Sequence, residues 1–272
     1  MPELPEVETI VRELNAAVTG RRIERVRVLR ADALGEVPPG VFAQRLAGRA
    51  IAGIERRGKY LIFRLEPRRF LVAHLRMTGK FALSPALASP APHHRVWFGL
   101  DDGALLVFQD ARCFGTLRVV DSLADAVQLE GLGVEPLSRD FTAAWLARAL
   151  GQSRAPLKSW LLHQGHIAGL GNIYAAEILF AARLSPRRPA NSLNAHEVQR
   201  LLRATRRVLR LAIRKNGTTI SDFARVDSKR GEFQHLLKVY GRADEACAVC
   251  RTPIARIVQA QRSTFYCPQC QC

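Results

Sequence analysis

Between Pro5 and Val18 the apolar positions fall at Val7, Ile10, Val11, Leu14 and Val18. Spacings of three and four predict a helix with one buried stripe, ended by Gly20. The period then shortens. RRIERVRVLR, AIAGIERRGKYLIFRLE, FLVAHLRMTGKFAL and HRVWFGLDDGALLVFQDARCFGTLRVVD are short β-like runs set apart by Gly, Pro and Asp. Asp102-Gly103, inside the last of them, is a hairpin signal. From Gly20 to about Asp121 the chain therefore reads as an antiparallel sandwich or barrel.

SLADAVQLEGLGVEPLSRD reads as a connection, with Gly131, Gly133 and Pro136 as breakers. Beyond it the pattern is helical, over FTAAWLARAL, over PLKSWLLHQ and again after GLGN. A longer helix starts at Asn194, where Glu197 three residues on completes a capping box. It turns Val198, Leu201, Leu202, Thr205, Val208 and Leu209 inward and stops at Asn216-Gly217. Arg200, Arg203, Arg206, Arg207, Arg210 and Arg214 fill its other face, which for most of them reads as a solvated surface.

Charge narrows the function. Forty-one Lys and Arg against 24 Asp and Glu leave +17 over 272 residues. That excess fits a polyanionic partner, nucleic acid above all. No apolar run reaches the 18 or more residues of a membrane span, so no membrane association is expected. The start lacks a basic stretch followed by an apolar one, so the expected compartment is the cytoplasm.

Cys113 stands alone, whereas Cys247, Cys250, Cys267, Cys270 and Cys272 crowd the last 26 residues. Two C-x2-C pairs separated by 16 residues can close a tetrahedron around one Zn²⁺. With Cys247, Cys250, Cys267 and Cys270 all as ligands, no position is left for water, so the zinc is expected to be structural. Cys272 breaks the spacing. The intervening RTPIARIVQAQRSTFY suggests a β-hairpin with Gln261 and Arg262 near its tip, a plausible contact for nucleic acid.

Two further stretches carry candidate chemistry. In GLGN the glycines permit a tight path, Asn172 can cap the following helix, and the exposed N–H groups there can hold a phosphate. At the N-terminus, removal of Met1 would leave Pro2 with a free secondary amine beside Glu3. An α-amine titrates near ~8 rather than lysine's ~10.4, and a helix N-terminus lowers it further. Such an amine can attack a sugar C1′ and form an iminium, with Glu3 moving protons. By itself, MPELPEVETI reads first as a helix start.

The combination of N-terminus, glycine turn and terminal cysteine pairs resembles the formamidopyrimidine-DNA glycosylase family. The likeness runs through PELPEVET, RRGKYL (56–61), HLRMTGKF (74–81), DARCFG (110–115), AGLGNIYAAE (168–177), VYGR (239–242) and AQRSTFYCPQCQ (260–271). It implies an α+β fold: an N-terminal helix and antiparallel β-sandwich, then a helical helix–two-turn–helix domain with a C-terminal zinc-finger hairpin. The expected divisions are 2–125 for the catalytic β-domain, 126–140 for a linker, 141–240 for the helical domain and 241–272 for the zinc finger.

Carried over by position, the resemblance makes Pro2 the nucleophile that forms a Schiff base with the damaged nucleotide, and Glu3 the proton donor. Lys59 is linked to β-elimination and a phosphate contact. Arg262 contacts the flanking phosphate and assists δ-elimination, and Asn172 binds the same backbone. Met77, Arg112 and Phe114 fill the gap left by the extruded base. His93 contacts DNA, although His94 stands beside it; Lys158 lies near the lesion strand; Glu6 supports the site. The implied partner is double-stranded DNA containing oxidised bases or abasic sites, bound by a nucleoid-associated monomer. The implied activity removes oxidised purines, 8-oxoguanine and formamidopyrimidines, with β,δ-elimination at the abasic site.

This chain departs from the family pattern at Ala111 and Cys113, within Ala111-Arg112-Cys113-Phe114-Gly115, and at His163, Gly165 and Ala176. Residues 226–237 correspond to the lesion-capping loop. Two other readings remain at this point: an endonuclease VIII-like enzyme for oxidised pyrimidines, and a non-catalytic zinc-ribbon protein that binds damaged DNA.

Overall fold

Helix α1 runs Leu4–Val18 in the computed structural model, which describes residues 1–84, 89–218 and 231–272. Its stripe of Val7, Ile10, Val11, Leu14 and Val18 is buried, as the spacing predicts, and Leu4 joins it. The helix begins one residue before Pro5. Glu3 is the N-cap and forms a capping box with Glu6, while Pro5 occupies the first turn, where its missing N–H costs nothing. Asn15 grips the neighbouring strand through both amide groups. Its Nδ2 donates to Ile54 O (2.7 Å) and its Oδ1 accepts from Ile54 N (2.8 Å), so the helix is fixed along its axis.

That strand belongs to a sandwich of two four-stranded antiparallel sheets. One has the order β1 (Ile23–Val28), β6 (His94–Leu100), β7 (Leu105–Gln109), β5 (Lys80–Ser84). The other has the order β2 (Ala50–Arg57), β3 (Tyr60–Glu66), β4 (Arg69–His74), β8 (Thr116–Val120). Their inner faces share one core with α1, in which Phe63 of one sheet meets Phe81 of the other at 5.3 Å between ring centroids. The expected turn at Asp102-Gly103 joins β6 to β7, with Gly103 at φ +81°. The β-like periodicity conceals one element: helix α2, Pro39–Leu46, which buries Phe42 and Leu46. Pro39 at its first position and an i,i+4 apolar pair are its only sequence marks.

These strands and helices lie in one unit, Met1–Glu130 with Asn216–Glu232; a second unit comprises Gly131–Lys215 with Phe233–Cys272. The second unit holds α3 (Ala143–Gly151), α4 (Leu157–Leu162), α5 (Asn172–Ala182) and α6 (Ala195–Arg214). It also contains a hairpin of β9 (Ala255–Gln259) and β10 (Arg262–Tyr266). The Asn194–Glu197 capping box of α6 is present, and Asn216 and Gly217 follow its end at φ +55° and +75°. Helix α4 is shorter than its sequence suggests. Gln164 leaves it to donate to Leu162 O (2.9 Å) and Leu170 O (2.8 Å) and to accept from Gly169 N (3.0 Å), which sets the glycine turn. Gly171, rather than the expected Asn172, is the N-cap of α5. Among the described residues no helix is long and apolar enough to cross a membrane.

Candidate functional site

The N-terminal cap does more than start a helix. Pro2 is buried directly before it, and Glu3 and Glu6 are only 3% and 2% exposed. The Glu6 carboxylate is shared between two segments: one oxygen accepts from Glu3 N (2.8 Å) and the other from Thr218 N (2.8 Å). Gly217 makes that approach possible. A Cβ there would lie 2.7 Å from Glu6 Oε1, and its φ of +75° suits glycine. Glu6 thus holds the backbone of Glu3, and with it Pro2, in one place.

Lys59 lies in the two-residue turn Gly58-Lys59 between β2 and β3, with Gly58 at φ +57°. Despite its place in a turn it is buried, at 6% exposure. Across the sheet, Tyr60 pairs with His74, whose ring meets the Tyr60 ring edge-on at 4.6 Å. His74 Nδ1 accepts from Arg76 N (3.0 Å). Burial, then the Arg76 and Lys59 charges, hold its imidazole down at about 3, so it is neutral throughout the physiological range. The sequence reading gave His74 no role.

Asp110, another residue given no role beforehand, organises the loops of the β-unit. Its carboxylate accepts from the Thr78 hydroxyl, from Arg112 N (3.2 Å) and from Gly115 N (2.7 Å). Its backbone N donates to His93 O (2.9 Å), and its carbonyl accepts from Arg95 Nε (2.6 Å). Three loops are therefore tied to one buried residue, those of Met77 and Arg112–Phe114 through its carboxylate and that of His93 through its backbone N–H. Met77 and Phe114 project outward, 43% and 53% exposed, and the Arg112 guanidinium covers the Phe114 ring at 4.8 Å. Large apolar groups held out in water on braced loops suit insertion into another surface. His93 is exposed at φ +73°. His94, its rival in the sequence, is engaged by Trp97 Nε1 (3.0 Å) and Gln109.

In the second unit, Lys158, Asn172 and Arg262 come together at the start of β10. Lys158 Nζ and Asn172 Nδ2 both donate to Ser263 O, at 2.9 and 3.0 Å, and Lys158 also donates to Thr264 Oγ1 at 2.6 Å. Arg262, the next residue back, is exposed. Lys158 is 1% exposed, so its ammonium faces the hairpin. The turn of that hairpin is Ala260-Gln261, both at positive φ (+46° and +59°), which places Arg262 just after the tip as expected.

The hairpin stands on the cysteine cluster. The Sγ atoms of Cys247, Cys250, Cys267 and Cys270 all lie within 4.8 Å of one another. Two pairs measure 3.9 and 3.4 Å, against about 3.8 Å for the edge of a tetrahedron with 2.3 Å Zn–S bonds. Hydrogen bonds with Thr252 draw the Cys250 thiol down to about 6, whereas burial and the neighbouring sulfurs push Cys270 up to about 12. A divalent cation at the centre would relieve that conflict, so the donor set fits one structural Zn²⁺. Cys272 is exposed, with its thiol toward Gln269 O, and is no part of the cluster. The module has little core of its own and packs Val239, Ile254 and Cys267 on Ala176 of α5. Ala176 is 2% exposed, so the departure there serves packing.

The His163 and Gly165 departures are coupled. A Cβ at Gly165 would lie 2.9 Å from Cε1 of the exposed His163, so a side chain there would displace that ring. His163 in turn packs on His166 (4.4 Å between ring centroids), which stacks on Trp160 at 4.6 Å. Of the expected lesion-capping loop, 226–230 lie outside the described residues. Phe233–Leu236 form a single 3-10 turn.

Comparison with known proteins covers nearly all of the chain. The family model for the formamidopyrimidine-DNA glycosylase N-terminal domain matches residues 1–117, and that for the H2TH domain of the same enzymes matches 132–224. A zinc finger found in FPG and IleRS matches 244–271. A formamidopyrimidine-DNA glycosylase of Symbiobacterium thermophilum is 46% identical over all of this chain and 89% of its own length. One from Geobacillus kaustophilus is 42% identical over the whole of both. Among solved structures, the MutM (FPG) protein of Thermus thermophilus superposes with a TM-score of 0.89 at 43% identity, covering 99% of this chain and 98% of that one. A Lactococcus lactis FPG bound to DNA containing an abasic site gives 0.92 at 34% identity, covering 99% of each.

Proposed function

The chain belongs to the formamidopyrimidine-DNA glycosylase family, and from that premise we propose that it excises oxidised purines from duplex DNA and then cleaves the resulting abasic site. The observation that carries the reading is the N-terminal cap, where Pro2 and Glu3 are buried together and held by Glu6. After loss of Met1, the Pro2 nitrogen attacks C1′ of an extruded nucleotide and the glycosidic bond breaks. The departing base takes a proton, and the sugar ring opens to an iminium on Pro2. Glu3 transfers protons at the ring oxygen and C2′. The iminium draws electrons from the C2′–H bond, so the 3′ phosphate leaves by β-elimination, and loss of the C4′ proton through the conjugated iminium then expels the 5′ phosphate by δ-elimination.

The positions of the other side chains support the remaining roles. Met77, Arg112 and Phe114 occupy the gap left by the extruded nucleotide, and the exposed His93 and Arg262 meet phosphates. Lys59, buried in its turn, serves β-elimination. Asn172 lies at the phosphate-binding start of α5. Lys158 we assign to positioning: its ammonium holds the backbone of Ser263 and so aims Arg262. Cys247, Cys250, Cys267 and Cys270 hold one Zn²⁺, which staples the hairpin and takes no part in the chemistry. The affinity for duplex DNA accounts for association with the nucleoid.

The test is a comparison of duplexes carrying 8-oxoguanine, formamidopyrimidine, thymine glycol or a preformed abasic site, scored for base release and for strand ends. Purine lesions should be released fastest, and abasic strands should end in phosphate on both sides of the gap. Faster release of thymine glycol, or intact abasic strands, would overturn the assignment.

A further inference from the structure

Helices α5 and α6 border a groove that none of the roles above uses. One hollow in it, about 360 Å³, is lined mainly by Phe180, Val208, Leu211, Phe233 and Leu236, with Glu177, Arg207 and Lys238 beside them. A second hollow of about 330 Å³, lined by Arg200, Arg203 and Arg207, adjoins it, and Ala181 and Arg207 border both. An apolar socket thus opens beside a cationic trough.

Two of the cations there have no internal partner. Arg203 and Arg207 are exposed and make no ion pair or hydrogen bond among the described residues. The nearby acids are already committed. Both oxygens of Glu177 accept backbone N–H groups, from Lys238, Val239 and Tyr240, each at 2.9 Å. Glu197 is held by Arg188 at 2.5 and 3.0 Å and reaches Arg200 only at 3.9 Å. The sequence pattern alone reads these arginines as a solvated face. The adjoining apolar hollow changes that reading, because a solvated face has no need of one.

Duplex DNA fits the groove poorly. A phosphodiester backbone has nothing to place among Phe180, Leu211 and Leu236. The groove also borders Ala181, nine residues and about 14 Å along α5 from Asn172 and the phosphate-binding turn. A peptide fits both halves. Arg200, Arg203 and Arg207 share one helical face over about 10 Å, the length of roughly three residues of extended chain. We propose that the groove docks a short acidic segment of a partner protein, with one bulky apolar side chain in the Phe180–Leu236 hollow and carboxylates along the arginines.

The experiment uses the full-length zinc-loaded protein and two fluorescein-labelled peptides, one of alternating Asp and Glu ending in Leu-Phe and one with those two residues replaced by serine. Anisotropy titrations should give at least tenfold tighter binding for the anchored peptide. Arg203→Glu with Arg207→Glu should weaken it at least tenfold, and Leu211→Asp should abolish the difference between the peptides. Far-UV spectra and zinc content check that the variants are folded, and excision from an 8-oxoguanine duplex should be unchanged. Equal binding of the two peptides, or none, would overturn the proposal. So would loss of duplex affinity in the double arginine variant, which would make the trough part of the DNA surface.

Discussion

His74 offers a prediction whose size follows directly from its surroundings. It is 6% exposed, accepts from Arg76 N at Nδ1, and sits near two cations, so its folded pKa is about 3 against 6.5 for a free imidazole. Above pH 6.5 the ring is neutral in both folded and unfolded chains, and the native contact is at full strength. Between pH 6.5 and about 3 the unfolded chain binds a proton that the native chain refuses. Stability then falls by about 1.4 kcal/mol per pH unit, which amounts to about 2 kcal/mol between pH 7 and pH 5. His74→Asn supplies an acceptor oxygen near the Nδ1 position but does not titrate. Urea unfolding of both proteins at pH 7 and pH 5, in a background with Trp145 and Trp160 replaced by phenylalanine so that fluorescence reports Trp97 of the β-unit, should show an acid loss about 2 kcal/mol larger for the protein that keeps His74. Protonation of the zinc thiolates is common to both proteins and cancels. Direct NMR titration should find the His74 ring unprotonated at pH 5. An imidazole that titrates between pH 6 and 7 in the native protein, or equal acid losses in the two proteins, would refute the reasoning.

Other consequences are open to measurement. Asp110→Asn must turn an amide toward Thr78 and Arg112 or toward Gly115, which should cost about 2 kcal/mol and loosen the Met77 and Phe114 loops; excision from duplex should then fall more than cleavage of a single-stranded abasic site. Lys158→Met should weaken DNA binding, and should cost nothing further once Arg262 is replaced by alanine, because the buried ammonium acts through Arg262; an additional loss in the double variant would mark a direct phosphate contact instead. Chelation should release one zinc per chain and abolish DNA binding while hydrogen exchange in the β-sandwich stays slow, and unchanged affinity after verified zinc loss would contradict the role given to the hairpin.

Spacing alone carried much of this architecture. The α1 stripe, the β-then-α order, the α6 capping box and the four metal-binding cysteines are local patterns, each readable within a few turns or one hairpin. What escaped the sequence depends on contacts between distant segments. Asp110 follows β7 in an ordinary-looking DARCFG, and nothing nearby says that Thr78 and His93 will converge on it. Thr218, 212 residues from Glu6, completes the support of the N-terminal cap through a glycine that only the folded chain explains. Lys158 is a further case: the resemblance places it near the lesion strand, and only the folded hairpin reveals that its ammonium is spent on Ser263 and Thr264. Helix α2 was missed because eight residues with two buried side chains barely register a period.

Borohydride trapping on duplex DNA containing 8-oxoguanine opposite cytosine, followed by mass mapping of the adduct, bears most directly on the proposed chemistry. The expected result is a single covalent complex on the nitrogen of Pro2, and none when a tag retains residues before it. An adduct on Lys59 or another lysine, or trapping that survives such a tag, would contradict it.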